Sequence, residues 1–421
     1  MSKLRICMLT TFYPPHNFGG DGIGVRRLAH AFGRLGHDIT IVHDVDAYNA
    51  LHDGPEPAET EEPENIHLIR LRSGLGMLSP LLTQQTGRPI VNGRRIRRIL
   101  AEGEFDVTIF NNMSLVGGPA ALRDGRGITI YEAHEHWLVC PTHVLWRHNR
   151  EPCTGRECIR CTLAYHRPPQ LWRYTGLLER SLKHVDAFIA KSEFSRRKHA
   201  EFGFARDMAV IPYFLPDTPA VDTDVDAPAR RTRPYFLFVG RLEKIKGLDD
   251  VIPAFRRYPD ADLVIAGDGE HGDALRRLAA GASNIHFVGR IPSGELRTLY
   301  RDAVALIVPS TGFETFGIIL IEAFREGLPV IARRIGPFPE IIETAAGGLL
   351  FDGADDLLAA MTRLQHEPGL RAELGRAARA GYERNWTEAA VVPQYFQLIR
   401  EIAERTGPSR TASKLTMEGV A

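Results

Sequence analysis

Short apolar segments of strand length alternate with amphipathic helical segments along most of this 421-residue chain, and this alternation restricts the fold more than any other feature. Residues 6–10 form the first apolar segment, and residues 25–35 then place apolar side chains on one helical face. Gly36 suits a C-terminal helix cap, and residues 39–42 begin the next strand. Alternation at this spacing predicts an α/β fold with a parallel sheet that helices cover on both faces.

The alternation occurs in two series. Strands of the first series are predicted at residues 6–10, 39–42, 66–70, 107–110, 128–131 and 187–190. Strands of the second series are predicted at residues 235–239, 261–266, 284–288, 303–308 and 329–332. Between the two series, residues 211–233 contain four prolines and a run of Asp alternating with small residues, which leaves little to bury.

The chain is therefore predicted to hold two doubly wound, Rossmann-like domains with a ligand cleft between them. We place the first domain at residues 1–211, a linker at 212–233 and the second domain at 234–386. Residues 387–406 are predicted to form a helix that returns to the first domain. Residues 407–421 are predicted to form a disordered tail.

Charge and hydropathy exclude several classes of partner. Lys plus Arg and Asp plus Glu both number 52, so nothing favours nucleic acid, and any phosphate site must be built locally. The apolar stretches end short of the ~18 residues of a membrane-spanning helix, and no signal peptide is recognised, so a cytoplasmic protein is expected. The basic helix at residues 94–100 is a candidate for peripheral contact with the inner face of an anionic membrane, and the alternative is a solvated helix face.

The first candidate binding loop is basic and joins a predicted strand to a helix at residues 239–247. Strand-to-helix loops of such sheets face the ligand crevice, where Arg241 and Lys246 would project two cations. The helix that begins at Leu248 adds partial positive charge from its N-terminus. The combination suits a diphosphate that gains charge as it leaves, and the alternative is an ordinary solvated loop.

The second candidate loop lies at residues 309–317 and again joins a strand to a helix. It contains Glu314, and Glu322 follows in the helix at Glu-x7-Glu spacing. The amides of Phe316 and Gly317 open that helix and are expected to bind an anion or a sugar oxygen. A carboxylate accepts hydrogen bonds from vicinal hydroxyls, so Glu314 is a candidate for holding a sugar and Glu322 for holding a ribose. The alternative is a surface Glu314 and a helix-face Glu322, although a carboxylate in so apolar a helix usually has a partner.

Long segments of the chain resemble one known family. FVGRLEKIKG, LVIAGDGE, ELRTLYRDAVALIVPSTGFETFGIILIEAFREGLPVIA and PEII resemble the donor half of the family-4 retaining glycosyltransferases (glycosyl transferases group 1), which have the GT-B fold. TTFYPPHNFGGDGIGVRRLAHAFGRLGHDITIV and DAFIAKSEFSRRKHAEFGF resemble the acceptor half of that family. The resemblance spans nearly the whole chain in the order of the family.

This resemblance implies transfer of a sugar from a nucleotide diphosphate-sugar to a hydroxyl with retention of anomeric configuration, by same-face attack. Arg241 and Lys246 would hold the diphosphate and assist its departure, so the resemblance implies no divalent metal and no other catalytic cofactor. The residues implied to bind the donor are Gly19, Gly20, Arg241, Lys246, Glu314, Phe316, Gly317 and Glu322. The Asp-x-Asp motifs at residues 44–46 and 222–226 are interpreted as bystanders.

The family also places a catalytic His after a strand of the first domain. His134 is the preferred candidate, because His three residues before Trp resembles a subgroup, and His136 is its neighbour and rival. The predicted catalytic set is therefore His134, Arg241, Lys246 and Glu314. The chain departs from the family at Tyr213, where Tyr-Phe replaces the usual Asn-Gly, and at Pro253, near which the helix must start or kink.

Four of the five cysteines lie close together in an insertion at residues 138–165, as C-x12-C-x4-C-x2-C. The spacing suits a tetrahedral structural zinc, with disulfides and an iron–sulfur cluster as alternatives. The predicted ligands are Cys140, Cys153, Cys158 and Cys161. We expect this loop to overhang the acceptor side and to shape acceptor choice.

Two other functional classes suit the same architecture. One is a nucleotide-sugar epimerase or hydrolase, which would need a general base of its own. The other is a non-catalytic nucleotide-sugar-binding protein, which the intact catalytic set disfavours. The donor base and sugar, the acceptor (a saccharide, a lipid-linked saccharide or a small molecule) and the oligomeric state stay open at this point.

Overall fold

The computed structural model describes residues 3–52, 54–216 and 232–406. The chain forms two compact units: Met1–Pro216 together with Val391–Ala421 make up the first unit, and Asp217–Ala390 make up the second unit. Each unit is built on one main parallel sheet covered by helices. The predicted α/β class with two Rossmann-like sheets is therefore confirmed.

The main sheet of the first unit contains seven strands. They are Arg5–Thr10 (β1), Asp38–Asp44 (β2), Ile66–Leu71 (β3), Val107–Phe110 (β4), Ile128–Ala133 (β5), Ala187–Ala190 (β8) and Ala209–Val210 (β9), and a separate hairpin holds Trp146–Arg147 (β6) and Glu151–Pro152 (β7). The sheet order is β3-β2-β1-β4-β5-β8-β9, and all its neighbours are parallel. The two-residue strand β9 is too short to leave a pattern in the sequence and was not predicted.

The helices of the first unit cover this sheet. They are Gly20–Arg34 (α1), Val45–Asn49 (α2), Leu78–Thr86 (α3), Gly93–Glu102 (α4), Cys158–Ala164 (α5), Leu177–Leu182 (α6) and Glu193–Glu201 (α7), with 3-10 turns at Pro119–Asp124 and Leu171–Tyr174. In α1, Val25, Leu28 and Phe32 are buried at helical spacing, so the apolar face predicted from the sequence packs on the sheet.

The second unit repeats this plan with six parallel strands. The strands are Tyr235–Val239 (β10), Asp262–Ala266 (β11), Ile285–Gly289 (β12), Leu306–Val308 (β13), Val330–Arg333 (β14) and Gly348–Phe351 (β15). The helices are Leu248–Arg256 (α8), Gly272–Ala279 (α9), Ser293–Asp302 (α10), Ile318–Arg325 (α11), Phe338–Ala345 (α12), Ala354–His366 (α13) and Pro368–Asn385 (α14), with a 3-10 turn at Lys244–Lys246. The order β12-β11-β10-β13-β14-β15 places β10 beside β13 in the middle of the sheet.

Both sheets have a topological switch point, where the chain order reverses. It lies between β1 and β4 in the first unit and between β10 and β13 in the second unit. Ligands of open α/β sheets bind outside the carboxyl ends of the strands at this point. Each unit therefore offers one crevice of its own for a ligand.

The last helix, Glu388–Thr406 (α15), belongs to the first unit from Val391 onward. Its buried side chains recur every three or four residues and join the core of that unit: Val391, Val392, Tyr395, Phe396, Ile399, Ile402 and Ala403. Phe396 packs at 5.0 Å from Phe32 of α1, measured between ring centroids. The chain therefore returns to its first unit at its end.

The linker predicted at residues 212–233 begins too early. Residues 212–216 belong to the first unit, where Phe214 and Leu215 are buried in the protein. Burial of these two apolar side chains holds the segment in the first unit despite the prolines at positions 212 and 216. Residues 217–231, with the Asp-x-Asp motif at 222–226, and the predicted tail at 407–421 lie outside the described residues.

The structure also shows where Pro253 lies in its helix. Pro253 lies inside α8, which begins at Leu248 as predicted, so of the two alternatives the helix does not start near Pro253 and a kink there stays a prediction. Burial of the apolar face of α8 offsets the loss of the backbone N–H donor at Pro253.

The first Asp-x-Asp motif has structural roles. Asp44 caps α2 by accepting a hydrogen bond from the Ala47 amide, and Asp46 accepts one from the Ser73 amide.

The described residues include no helix that is both long and apolar enough to cross a membrane. In the basic helix α4 the apolar residues Ile96 and Leu100 are buried in the protein. Its four arginines at positions 94, 95, 97 and 98 are exposed. The apolar face of α4 is therefore not available to a membrane, although its charged face is.

Candidate functional site

In the second unit, both predicted binding loops lie at the switch point of the sheet. The loop at 240–247 follows β10, and the loop at 309–317 follows its neighbour β13. The Thr311 amide donates to the Ile245 carbonyl over 2.8 Å and so joins the two loops. Gly247, with φ of +74°, allows the contact, because a Cβ there would stand 2.1 Å from the Pro309 carbonyl oxygen. The two loops form one binding surface, the donor loops.

Lys246 and Glu314 form an ion pair across the donor loops. Lys246 Nζ donates to Glu314 Oε1 over 2.7 Å, and Ser310 Oγ donates to the same oxygen over 3.0 Å. Both charged side chains remain about a quarter exposed, at 23% and 24%. Burial opposes ionisation of Glu314, but the Lys246 ammonium holds the pKa of that carboxyl below its ordinary value. The pair is thus charged and accessible to a ligand.

Arg241 lies on the same loop but extends toward solvent. Its side chain is 60% exposed, and Nη1 contacts Glu243 Oε1 at 2.6 Å. An ion pair this exposed is worth little, about 0–1 kcal/mol. Arg241 can therefore exchange Glu243 for an anionic ligand at small cost.

Glu322 has a partner within the protein. Tyr300 of α10 is buried, and its hydroxyl donates to Glu322 Oε2 over 3.2 Å. This contact explains how a carboxylate is tolerated on the apolar helix α11. Phe316 is buried, and Gly317 caps α11 with φ of +123°, a conformation that favours glycine.

Arg333 is a third cation at this edge, and it was missed from the sequence. It ends β14, where Nε donates to the Pro309 carbonyl over 3.0 Å and Nη2 contacts Asp250 Oδ2 at 2.5 Å. An Arg pair directly after a predicted strand, at 333–334, was the available signal. Arg333 braces the donor loops from the adjacent strand.

In the first unit, His134 follows β5 and holds a hydrogen bond at each ring nitrogen. Nε2 lies 2.9 Å from Asn111 Oδ1, and Nδ1 lies 2.5 Å from the Tyr213 hydroxyl. The Asn111 amide group donates to backbone carbonyls, so its oxygen faces the ring, and Nε2 carries the proton. Burial lowers the pKa of His134 to about 4, which makes the ring neutral near pH 7. Tyr213, noted from the sequence only as a departure from the family pattern, is therefore a direct partner of His134.

A buried ion pair lies beside this histidine. Lys191, directly after β8, pairs with Glu132 of β5, and both side chains are at most 2% exposed. The Tyr395 hydroxyl donates to Glu132 Oε1 over 2.6 Å, and the Lys191 ammonium lies 4.7 Å from the centre of the Tyr213 ring. A Glu within an otherwise apolar strand was the signal in the sequence, because a buried carboxylate needs a cation. The network joins α15 to the surroundings of His134.

His136, the rival of His134, packs in the interior of the first unit. Its ring stacks on that of His199 at 5.3 Å between centroids, and the residue is 1% exposed. Burial, with His199 nearby, holds the pKa of His136 well below its ordinary value. The choice of His134 over His136 stays a prediction, because the side chain of His134 is itself only 2% exposed.

Gly19 and Gly20 lie at the start of α1, beside the switch point of the first sheet. A Cβ at Gly20 would meet no atom within 4 Å, and one at Gly19 would make only an ordinary contact at 3.5 Å. A Cβ at Gly24 would instead stand 2.6 Å from the Tyr213 ring. Internal packing thus requires glycine at position 24 but not at positions 19 and 20.

This contrast makes a prediction for two matched substitutions. Gly20→Ala is expected to change the free energy of unfolding by less than about 0.5 kcal/mol, whereas Gly24→Ala is expected to cost about 1–3 kcal/mol. If a ligand lies against Gly20, Gly20→Ala should still raise its KM. Urea denaturation and initial-rate kinetics measure the two effects. A strongly destabilised Gly20→Ala would contradict the open space seen at this position.

The cysteines of the insertion are free thiols. The predicted metal ligands Cys140, Cys153, Cys158 and Cys161 all line one small cavity, and they are called the thiol cluster below. In the described part of the chain, however, no group of three or more His, Cys, Asp or Glu is positioned to hold a metal ion. The predicted metal centre is thus not present as a closed ligand set, because nothing attracts four neutral thiols to one another.

Two family models match consecutive parts of the chain. The model described as Glycosyltransferase Family 4 matches residues 18–218, and the model described as Glycosyl transferases group 1 matches residues 222–381. A GDP-mannose-dependent monoacylated alpha-(1-6)-phosphatidylinositol monomannoside mannosyltransferase of Corynebacterium glutamicum is 34% identical over 40% of this chain. The match spans 49% of the length of that relative.

Solved structures show the same fold. Sucrose-phosphate synthase from Thermosynechococcus elongatus superimposes with a TM-score of 0.73 at 20% identity, over 95% of this chain and 99% of that one. The Anabaena protein HepE in complex with UDP-glucose gives a TM-score of 0.65 at 16% identity, over 94% of this chain and 100% of that one.

Two Rossmann-like units, each with polar and charged residues at its switch point, define the class of GT-B proteins. Together the two family models cover most of the sequence between residues 18 and 381. The chain belongs to glycosyltransferase family 4. The resemblance to this family that was recognised from the sequence is therefore confirmed, while the subgroup and the roles of individual residues stay predictions.

Proposed function

We propose that this protein is a retaining glycosyltransferase that moves a sugar from a nucleotide diphosphate-sugar to an acceptor hydroxyl without a divalent metal. The observation that carries this proposal is the partly exposed Lys246–Glu314 ion pair at the switch point of the second unit. It combines a cation for phosphate with a carboxylate for sugar hydroxyls on one rigid surface.

The chemistry follows from the charges on the donor loops. When the bond between the sugar and the diphosphate breaks, the leaving diphosphate gains negative charge. Lys246, together with Arg241, would neutralise this charge and so lower the barrier, which is the role a divalent metal has in other enzymes. Glu314 would orient the transferred sugar, Glu322 the ribose, and the Phe316 and Gly317 amides would contact the donor at the start of α11.

His134 supplies the contribution of the first unit to this proposal. Its ring is neutral near pH 7, and both ring nitrogens are hydrogen-bonded within the protein, so it would contact the transferred sugar by exchanging its Asn111 partner for a sugar oxygen. A general acid is not needed for this task. The open space at Gly19 and Gly20 would let the donor phosphates approach the backbone closely.

Relatives support a nucleotide diphosphate donor but differ in its base. The Corynebacterium relative is named as GDP-mannose-dependent, and HepE was solved with UDP-glucose. Both donors share the diphosphate and the sugar hydroxyls that the donor loops would bind. For the acceptor, a lipid-linked saccharide or a glycolipid is in line with the lipid named for the Corynebacterium enzyme.

A donor panel tests the proposed reaction. UDP-, GDP-, ADP- and dTDP-sugars are incubated with the wild type, with Glu314→Ala and with the exposed control Glu295→Ala, and nucleotide release is measured. We expect slow hydrolysis of one donor by the wild type and the control, reduced about 10²-fold or more in Glu314→Ala. With acceptor, NMR of the product should show retained anomeric configuration, and added Mg²⁺ should not change the rate.

Other outcomes of the panel discriminate the alternatives. A product that is an epimerised nucleotide-sugar would identify an epimerase. Tight binding of a free nucleotide in calorimetry, without turnover for any donor and acceptor, would identify a binding protein. Equal activity of Glu314→Ala and Glu295→Ala would show that the donor loops take no part in the reaction.

We also propose that the first unit contacts an anionic membrane, where a lipid-linked acceptor would reside. Large exposed apolar side chains cluster on α3 and its flanks: Leu75, Met77, Leu78, Leu81, Leu82 and Ile90. Asn92, at the start of the basic helix α4, donates to Ser79 of α3 over 3.3 Å and joins the two helices. Apolar side chains beside four exposed arginines suit the interface of an anionic bilayer.

Vesicle sedimentation tests this contact. The wild type is expected to bind vesicles that contain an anionic lipid and to release them at high salt. Leu78→Glu with Leu81→Glu should abolish binding, while Leu35→Glu, an equally exposed leucine at the end of α1, should retain it. Absence of binding by the wild type, or equal loss in the control, would contradict the proposed membrane contact.

A further inference from the structure

The insertion at residues 138–165 is poor in regular structure yet holds an unusual backbone. It contains the two-residue strands β6 and β7 and the seven-residue helix α5. Five non-glycine residues in and directly after it adopt positive φ: His143, Leu145, His148, Asn149 and His166. Each such residue costs about 1 kcal/mol or more, so the segment needs stabilising contacts from elsewhere.

The thiol cluster surrounds a cavity that fits a single ion. The cavity has a volume of about 20 Å³, enough for one water-sized sphere. All four cysteines line it, although they come from three separate pieces of backbone: Cys140 precedes the hairpin, Cys153 follows β7, and Cys158 and Cys161 belong to α5. A space of this size suits a single metal ion better than an organic ligand.

A backbone amide and two arginines lie at the wall of the cavity. The His148 amide at the turn of the hairpin donates to Cys161 Sγ over 3.3 Å. Hydrogen bonds from backbone amides to sulfur are typical of metal-bound thiolates. Arg147 and Arg156 line the same cavity. Four thiolates on a divalent ion carry two net negative charges, and Arg156 would offset part of them, since Arg147 already pairs with Glu151 and Glu157.

Arg173 adds an independent observation. Its guanidinium lies 4.6 Å from the centre of the Trp172 ring, and Nε donates to Gln170. Its Nη2 is buried and finds no hydrogen-bond partner among the described residues. The side chain interacts electrostatically with Cys140 and Cys158. The buried Nη2 thus lacks an acceptor, and metal-bound thiolates would supply negative charge near it.

We propose that the thiol cluster binds one structural zinc ion in the full chain. Zn²⁺ would displace four thiol protons to form a tetrahedral four-thiolate centre with four Zn–S bonds, and the protons would pass to solvent. Since no closed ligand set is present among the described residues, binding draws the sulfurs together across the cavity. The zinc would cross-link the hairpin to α5 and stabilise the strained backbone between them.

Metal analysis of the purified full chain tests this inference. Protein purified without chelators is expected to contain about one zinc per chain by mass spectrometry of the metal. Cys158→Ser and Cys161→Ser should each reduce that content to near zero. The matched control is Cys7→Ala, because Cys7 is a cysteine buried on β1, outside the thiol cluster, and its variant should keep the zinc.

Two further measurements keep the test independent of the folding of the variants. Cobalt added to apoprotein should give the visible bands of a tetrahedral, sulfur-ligated ion. Titration of the denatured, chelator-treated wild type should find all five thiols. A metal-free wild type that binds neither zinc nor cobalt, a count of three thiols or fewer, or stoichiometric iron with acid-labile sulfide would overturn the proposal.

Discussion

Replacing Lys246 with alanine is expected to lower the rate of sugar transfer by about 10²–10³-fold, with a small effect on stability. The Lys246 ammonium is anchored to Glu314 at 2.7 Å and keeps part of its surface accessible to a ligand. Its charge would oppose the negative charge that develops on the leaving diphosphate. Because both partners are only about a quarter exposed but Ser310 still donates to Glu314, loss of the ion pair should cost about 1–2 kcal/mol of folding free energy, less than for a fully buried pair.

Lys244→Ala is the matched control for this substitution. Lys244 lies two residues earlier in the same 3-10 turn, and its side chain is exposed. Its removal should change the rate by less than about twofold, since an exposed charge at this distance is screened. Steady-state kinetics with the donor found in the panel measure both variants. Equal rate losses would indicate that Lys246 acts only through the net charge of the loop.

A double variant tests whether Lys246 and Glu314 act on the same donor molecule. If both residues act on one donor, the double variant Lys246→Ala/Glu314→Gln should be only slightly slower than the worse single variant. Multiplicative losses would mean that the two residues contribute independently.

The second large effect is expected at Lys191. Lys191→Met should lower the free energy of unfolding by about 3–5 kcal/mol, because it leaves the Glu132 carboxylate buried without a cation. The control is Lys198→Met in α7, whose partner Glu201 is 54% exposed, and its cost should be about 1 kcal/mol or less. Adding Glu132→Gln to Lys191→Met should restore much of the stability, since the buried charge is then gone.

The stability that the Lys191–Glu132 ion pair contributes depends on pH. Burial opposes ionisation of Glu132, but Lys191, with His134 and Tyr395, keeps the pKa of the carboxyl below its ordinary value of 4.5. The stabilisation is therefore present above the pKa of the unfolded chain and is lost as pH falls through the lower, folded pKa. The difference between the wild type and Lys191→Met should be full at pH 7 and shrink below about pH 4. A constant difference down to pH 3 would contradict an ion pair.

Loss of Lys191 should also disturb the position of the candidate catalytic histidine, His134. Glu132 Oε2 lies 3.8 Å from His134 Nε2. The Lys191 ammonium lies over the ring of Tyr213, and the hydroxyl of Tyr213 is hydrogen-bonded to Nδ1 of His134. The network thus connects the positions of His134 and α15. Activity measured well below the unfolding temperature of Lys191→Met distinguishes a displaced His134 from a merely less stable protein.

Much of the fold could be predicted from the sequence because the relevant interactions are local. The strands at residues 107–110, 187–190 and 235–239 coincide with β4, β8 and β10, since buried parallel strands are continuous apolar runs bounded by loops. The donor loops were recognised for a similar reason, because residue type and spacing within a short segment indicate their chemistry. Strand β9 and the hairpin of β6 and β7 are too short to leave a periodic pattern.

Contacts between distant segments could not be predicted in this way. Lys191, Glu132 and Tyr395 lie far apart in the sequence, and only the pairing of β5 with β8 and the return of α15 bring them together. Tyr213 was placed in a linker because its neighbours include prolines, yet in the first unit it packs against Gly24 and His134. The closing of the donor loops on one another depends on a backbone approach at Gly247 that no local pattern reveals.

By itself, the sequence determined the α/β class, the two series of strands and the residue types available at their ends. These properties depend on hydrophobic periodicity and local turn chemistry, which act over fewer than about twenty residues. Only the tertiary structure decided the partners of those residues: Lys246 for Glu314, Tyr300 for Glu322, and Asn111 and Tyr213 for His134. Partner choice depends on which strands are neighbours in the sheet, and that order results from packing the whole chain.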